Sequence, residues 1–225
     1  IGHVAADKNG GGDVNATPNY LTTRFRESVA RKGSAFSLTP NTNDAFVYQD
    51  EFVNFLETTF PEARQGGPRT LFYSMDNEPD LWSHTHARIH PAALRYDELI
   101  DLNIAYADAV KDVAPSARVF GFVSYGWTGF INLQDAPDAA GRDFIDTYLD
   151  AMQDAEAEHG RRLIDVLDLH FYPEAQGDGQ RIITDTSTPG LVEARIQAPR
   201  SLWDSGYVET SWITEWSTLG PIRLI

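Results

Sequence analysis

Two kinds of apolar run alternate along this chain, and their order constrains the fold more than any other feature. Three short runs, 69–75, 118–123 and 163–171, are rich in Val, Leu, Ile and Phe and begin a little under fifty residues apart. They are too brief for helices and read as buried strands. Between the first two, Tyr96, Ile100, Ile104, Ala107 and Val110 recur at three- and four-residue steps, while Asp97, Glu98, Asp101, Asp108 and Lys111 fall elsewhere. That spacing predicts an amphipathic helix over 96–113, closed by Pro115, which cannot continue the hydrogen-bond ladder. Phe144, Ile145, Tyr148, Leu149 and Met152 form the next stripe, with Gly160 as its stop. Ahead of the first strand, Phe52, Val53, Leu56 and Phe60 predict a shorter helix ended by Pro61. Helix and strand in strict turn require a parallel sheet, so the class is α/β, either a doubly wound open sheet or a (β/α) barrel.

The polar residues choose between these. Each predicted strand runs into unusual residues at its C-terminal end: Asp76-Asn77-Glu78-Pro79, then Ser124-Tyr125-Gly126-Trp127, then His170-Phe171-Tyr172-Pro173-Glu174. Barrel enzymes build their sites on that rim. A dinucleotide site would want a GxGxxG turn, and Lys8-Asn9-Gly10-Gly11-Gly12-Asp13 has neither that spacing nor a Ser/Thr to complete a phosphate loop, so it reads as a flexible loop. A TIM-like (β/α)8 barrel is therefore expected, with long functional loops over 84–91, 128–141 and 174–190. One such barrel takes about 250 residues. With three clear strands in 225 residues and apolar ends at Ile1 and Ile225, residues 1–225 are expected to be an incomplete segment of one barrel domain from a longer chain.

Charge and composition exclude several functions. Eighteen Lys and Arg against thirty-three Asp and Glu give a net charge of −15, which repels a phosphate backbone or an anionic membrane face. No nucleic-acid or membrane partner is expected, and no apolar run reaches the roughly 18 residues of a spanning helix. The absence of cysteine removes disulfides, thiolate zinc sites and cysteine nucleophiles together.

Asn77-Glu78-Pro79 is the sharpest chemical signal. A carboxylate at a strand end, beside an amide able to bind a sugar hydroxyl and a proline that stiffens the backbone, suits a general acid over a glycosidic oxygen. The alternative is a turn with a solvated acid. Glycoside hydrolysis needs a second carboxylate, about 5–5.5 Å away for retention or about 6.5–9.5 Å for inversion. Counting forward by the strand spacing lands near Glu215, with Glu174 and Glu209 as further candidates. Trp82, Trp127, Trp203, Trp212 and Trp216 offer planar faces on which the C–H faces of sugars pack, against the alternative of core packing. Trp212 and Trp216 share a face if their segment is helical. His170 and Tyr172, on alternate strand-end residues, are expected to point together toward the rim, where either could bond a nucleophile or a sugar hydroxyl. His84-Thr85-His86, followed by His90, offers an H-x-H pair, but no third ligand stands at a recognisable spacing, so no catalytic metal is expected. Asn41, Asn43, Asp44 and Asp50 offer oxygens to a structural calcium, without EF-hand spacing. Asn15-Ala16-Thr17 matches a glycosylation sequon.

With these residues in place, the chain resembles glycoside hydrolase family 44. The resemblance rests on Tyr73 through His86 with Arg88-Ile89-His90-Pro91, on Asp168 through Glu174, and on Ser211-Trp212-Ile213 through Trp216, and it runs from end to end. It implies a secreted, monomeric endo-acting β-1,4-glucanase that retains anomeric configuration, with xyloglucan, lichenan or xylan as further substrates and no required cofactor. The fold it implies is a TIM-like barrel accompanied by a β-sandwich, the latter missing from these residues. By the same resemblance Glu78 is the acid/base, Asn77 its sugar-contacting neighbour, and Trp212 and Trp216 stack on substrate, with Trp82, Trp127, His170 and Tyr172 as further substrate-binding candidates. It also implies that the nucleophile lies in a Thr-Glu-Tyr setting beyond Ile225, against the spacing argument for Glu215. The rival readings are a non-catalytic carbohydrate-binding barrel and another retaining barrel glycosidase, such as a xylanase or mannanase.

Overall fold

The computed structural model describes residues 3–6, 13–63 and 70–216, with the side chains of Ala5, Asn15, Ala63, Glu215 and Trp216 outside that description. All of the glycine-rich stretch except Asp13 also lies outside it. Chain contacts form two compact units, Ile1–His170 and Phe171–Ile225, within the span that the sequence assigns to one barrel domain.

The first unit begins with β1 (His3–Ala5), α1 (Tyr20–Thr23), β2 (Phe25–Val29), β3 (Phe46–Tyr48) and α2 (Gln49–Thr59). It continues with β4 (Phe72–Ser74), α3 (Trp82–Thr85), α4 (Tyr96–Val113), β5 (Arg118–Ser124), α5 (Trp127–Asn132), α6 (Phe144–His159) and β6 (Val166–Leu169). The second unit holds β7 (Gln176–Gly177), β8 (Gln180–Arg181), α7 (Pro189–Gln197) and α8 (Trp212–Trp216).

The three anticipated strands form one parallel sheet in the order β4-β5-β6, with helices between them. α4 has the bounds that its apolar spacing predicts. Its first backbone N–H groups are satisfied from a distance, since Asp138 accepts from the Tyr96 and Asp97 N–H groups at 2.9 and 3.2 Å. α6 is capped by the Asp143 side chain, which accepts from the Asp146 N–H, and it ends at Gly160 in the left-handed region at φ 65°.

Three expectations need correction. A sheet ordered β1-β2-β3 precedes the parallel one, with β1 antiparallel and β3 parallel to β2. Its strands have three to five residues, and Arg26 and Glu27 interrupt the longest, so no apolar run announces it. The expected loop 128–141 begins within α5, and 174–190 holds the β7–β8 hairpin. α2 is also turned differently from its apolar stripe. It buries Val53 together with Asp50, Glu51 and Glu57, and it leaves Phe52 50% and Phe60 44% exposed. Hydrogen bonds explain this rotation: Asp50 accepts from the Lys32 N–H, Glu51 from the Ser37 N–H and Glu57 from the Tyr73 hydroxyl.

Packing of α4 and α6 on β5 fixes the sheet from one side. Val53, Ala107, Val110, Val119, Ala155 and Leu163 form one buried cluster. Tyr96, Phe122, Phe144 and Tyr148 form an aromatic one, with ring centroids 4.6 to 5.9 Å apart and mostly edge to face. Within the latter the Tyr148 hydroxyl donates to Asn103 Oδ1 at 2.9 Å, while Asn103 Nδ2 donates to the Leu99 carbonyl. This pair lies directly on β5: a Cβ at Gly121 would be 2.7 Å from Asn103 Oδ1 and 2.8 Å from the Tyr148 hydroxyl. Tyr148→Phe strands a buried amide oxygen, so it is expected to cost about 1–3 kcal/mol, read as a lowered urea midpoint of the full-length protein.

Candidate active site

β5 departs from regular register between Phe122 and Ser124, and Val123 adopts φ 62° there. A β-branched residue in the left-handed region carries strain of roughly 1–3 kcal/mol. The irregularity turns the Val123 carbonyl toward the neighbouring strand end, where it accepts from the Glu78 N–H at 2.9 Å. Glu78 is itself left-handed, at φ 48° and ψ 56°, as is Asp76 at φ 71°. Pro79 then opens a tight 3-10 turn, Pro79–Leu81, where its fixed φ suits the first position. Strained backbone at two adjacent strand ends therefore holds one carboxylate, and such strain clusters at functional sites.

The Glu78 side chain is 21% exposed, reachable yet largely enclosed. His170, one residue past β6, faces it with Nδ1 2.8 Å from Glu78 Oε1. The sequence places His170 at the rim, and there its ring meets the Glu78 carboxyl. Its backbone is fixed too, because its N–H donates to the Ser124 carbonyl at 3.0 Å. Asn77 is exposed beside Glu78, its own N–H bonded to Asp76 Oδ1 at 2.8 Å.

Asp80 is a site residue with no role expected from the sequence. It lies in the same turn, 4% exposed, and its carboxylate accepts from the Tyr125 N–H at 3.0 and 3.3 Å. Burial pushes its pKa up to about 6, opposed by the Tyr125 hydrogen bond and reinforced by the charge of Glu78. The available signal was a second acid two residues after Glu78, in a segment where Trp82 and Leu81 predict burial.

The tryptophans divide. Trp82 is 4% exposed and packs against His90 at 5.4 Å between centroids, so it is a core residue with no free face for a sugar. Its position at the start of α3 points it inward, which its place in the motif did not reveal. Trp127 opens α5, half-buried and edge-on to Phe130 at 5.3 Å, and its indole N–H is buried without a hydrogen-bond partner among the described residues. In the second unit, Tyr172 is 53% and Trp203 56% exposed, and Trp212 is half-buried. β6 ends at Leu169, so strand alternation does not extend to Tyr172. Segment 212–216 is helical, which puts positions 212 and 216 on one face.

Two of the three candidate second carboxylates are already engaged. Arg181 donates to both oxygens of Glu174 at 2.6 Å. Glu209 is 3% exposed and accepts from Ser201 Oγ at 3.0 Å. The side chain of Glu215 lies outside the described residues. Among those residues no group of three or more His, Asp or Glu side chains is arranged to hold a metal. His90 is bonded to Glu98 at 2.8 Å and to the Ala92 carbonyl. Oxygens of the proposed calcium loop serve their own chain: Asn41 accepts from the Asn43 N–H, Asp44 from the Tyr48 hydroxyl and Asp50 from the Lys32 N–H. No helix among the described residues is long and apolar enough to cross a membrane.

Comparison with known proteins gives this site its setting. Residues 1–175 match the sequence model of Glycoside hydrolase family 44. Endoglucanase A of Paenibacillus lautus is 46% identical over 221 residues, which are 96% of this chain and 31% of that protein. A family 44 endoglucanase structure from Clostridium thermocellum superposes with a TM-score of 0.89 at 46% identity, covering 98% of this chain and 44% of that one. A Paenibacillus polymyxa xyloglucanase of the same family, solved with xyloglucan, gives 0.89 at 42% identity with the same coverage. The chain thus spans less than half the length of these relatives, and its strands and helices correspond to part of the family's (β/α)8 barrel. By sequence over most of its length and by fold over nearly all of it, the chain belongs to glycoside hydrolase family 44.

Proposed function

We propose that this chain carries the acid/base side of a retaining endo-β-1,4-glucanase site, with Glu78 as the acid/base. The supporting observation is the hold on Glu78, through the Val123 carbonyl at its backbone and His170 Nδ1 at its carboxyl. In the first half-reaction Glu78 gives its proton to the glycosidic oxygen while a second carboxylate attacks the anomeric carbon. In the second it takes a proton from the water that releases the glycosyl-enzyme. The second carboxylate is proposed to lie outside these 225 residues, as the resemblance to the family implies.

A neutral polysaccharide as substrate fits a chain of net charge −15, which neither attracts nor needs an anion. Relatives named as endoglucanases and a xyloglucanase favour β-1,4-glucan, plain or branched, and a polymer too large to enter a cell favours action outside it. Stacking of sugar rings is assigned to the exposed or half-buried aromatic residues Tyr172, Trp127 and Trp212 together with Trp216. The test is release of reducing ends by the full-length protein from cellulose derivatives, xyloglucan, lichenan, xylan and mannan. New chain ends on the glucans are expected; binding without them favours a carbohydrate-binding barrel, and activity confined to xylan or mannan favours a different retaining glycosidase.

A further inference from the structure

We infer that Trp203 is a further glucan-binding residue: its indole is an exposed stacking face that the buried Glu209 fastens to the segment carrying Trp212. This rests on the polysaccharide reading given above and extends it to a residue with no role there. Of the tryptophans whose side chains are described, Trp203 alone is more than half exposed, at 56%. Single apolar side chains at a surface are ordinary, so exposure by itself assigns no role. What marks Trp203 is how firmly its turn is held. Its N–H and that of Asp204 both donate to the Arg200 carbonyl, at 3.1 and 2.8 Å, at the end of the 3-10 turn Ala198–Leu202. Asp204 in turn accepts from Arg200 Nε at 2.8 Å and from the Gly206 N–H at 2.9 Å.

A second set of contacts ties this turn to the interior of its unit. Ser201, 3% exposed, donates from Oγ to Glu209 Oε2 at 3.0 Å. Glu209 is equally buried, and its other oxygen has no hydrogen-bond partner among the described residues. A half-satisfied buried acid costs more than an apolar side chain of similar size, so packing does not account for it. What it supplies is a link. The Glu209 carbonyl accepts from Thr214 Oγ1 at 2.8 Å within α8, and the buried Ser211 caps that helix by accepting from the Thr214 N–H at 3.5 Å. Trp203, two residues past Ser201, and Trp212, three past Glu209, are thereby fastened to one buried residue. A ring already fixed loses little freedom when a ligand covers it. The pyranose rings of a β-glucan are uncharged and offer C–H faces to an indole. The two charges on the turn, Arg200 and Asp204, are paired with each other, which suits a neutral ligand.

The test is affinity electrophoresis of the full-length protein in gels cast with xyloglucan or hydroxyethylcellulose, on a Glu78→Gln background so that the polymer survives the run. Trp203→Ala is expected to raise the dissociation constant about three- to tenfold, and Trp203→Phe, which keeps an aromatic face, to recover most of that affinity. The urea midpoint should stay that of the parent, because the ring is mostly in water. Equal retardation of parent and Trp203→Ala overturns the inference, as does a parent that neither polymer retards, or an equal loss in the Ala and Phe variants. Ser201→Ala breaks the link to Glu209 and leaves the indole in place, so it too should weaken retardation; retardation equal to the parent's overturns the positioning role of Glu209. Release of reducing ends by the wild type decides the glucanase reading separately: a protein that releases none, yet loses retardation in Trp203→Ala, keeps the binding role and sinks that reading.

Discussion

Glu78→Gln is expected to lower hydrolysis of polysaccharide by about 10²- to 10⁴-fold, the usual contribution of a positioned proton donor. The amide keeps the size of the side chain and can still meet His170, but it has no proton to give. The loss depends on the leaving group. A sugar hydroxyl leaves poorly without a proton, whereas an activated phenolate leaves unaided, so aryl glycosides with acidic phenols should lose far less in the step that breaks the glycosidic bond. Steady-state kinetics on both substrate types, using the full-length protein, provide the check. Equal losses on both would remove Glu78 from the acid/base role and leave it a substrate-binding residue.

The largest effect on stability is expected at Asp165. Lys111 is 4% exposed near the end of α4, and its ammonium donates to Asp165 Oδ2 at 2.6 Å and to the Ala117 carbonyl at 2.7 Å. The same Asp165 oxygen accepts from the Val119 N–H at 2.9 Å, which ties the start of β5 to the segment entering β6. Asp165→Ala leaves a buried ammonium with one neutral acceptor and an unpaired backbone donor, at a cost of about 3–5 kcal/mol. Asp165→Leu with Lys111→Met removes both charges and should recover much of that loss, because a buried pair barely outweighs its own desolvation. Urea unfolding of the two variants beside wild type distinguishes these outcomes. A single variant within about 1 kcal/mol of wild type would mean that water reaches Lys111.

Local pattern made some parts of this structure legible. The bounds of α4, the Gly160 stop and the parallel strands β4, β5 and β6 follow from periodicity and from where proline and glycine interrupt it. Each is written in a dozen neighbouring residues, because a half-buried helix must repeat its apolar residues every three or four positions. The sheet β1-β2-β3 is not written that way. Its strands are short and partly charged, and they are stabilised by pairing with each other rather than by an apolar run. α2 misleads for a related reason: a stripe of phenylalanines suggests one face, but hydrogen bonds from Lys32, Ser37 and Tyr73 to its acids bury another.

In the same way, local pattern alone places Glu78 at a strand end beside an amide and a proline, with aromatic and histidine residues after the next two strands. The tertiary structure alone decided which of them meet. His170 is 92 residues from Glu78 along the chain and bonds its carboxyl, whereas Trp82, four residues away, turns into the core. Asp80 gained its raised pKa from burial, and Glu174 is paired with Arg181, seven residues on. Sequence pattern records which faces avoid water, since that is repeated locally. The protonation and pairing of a carboxylate depend on a few groups within hydrogen-bond reach, and chain separation carries almost no information about those.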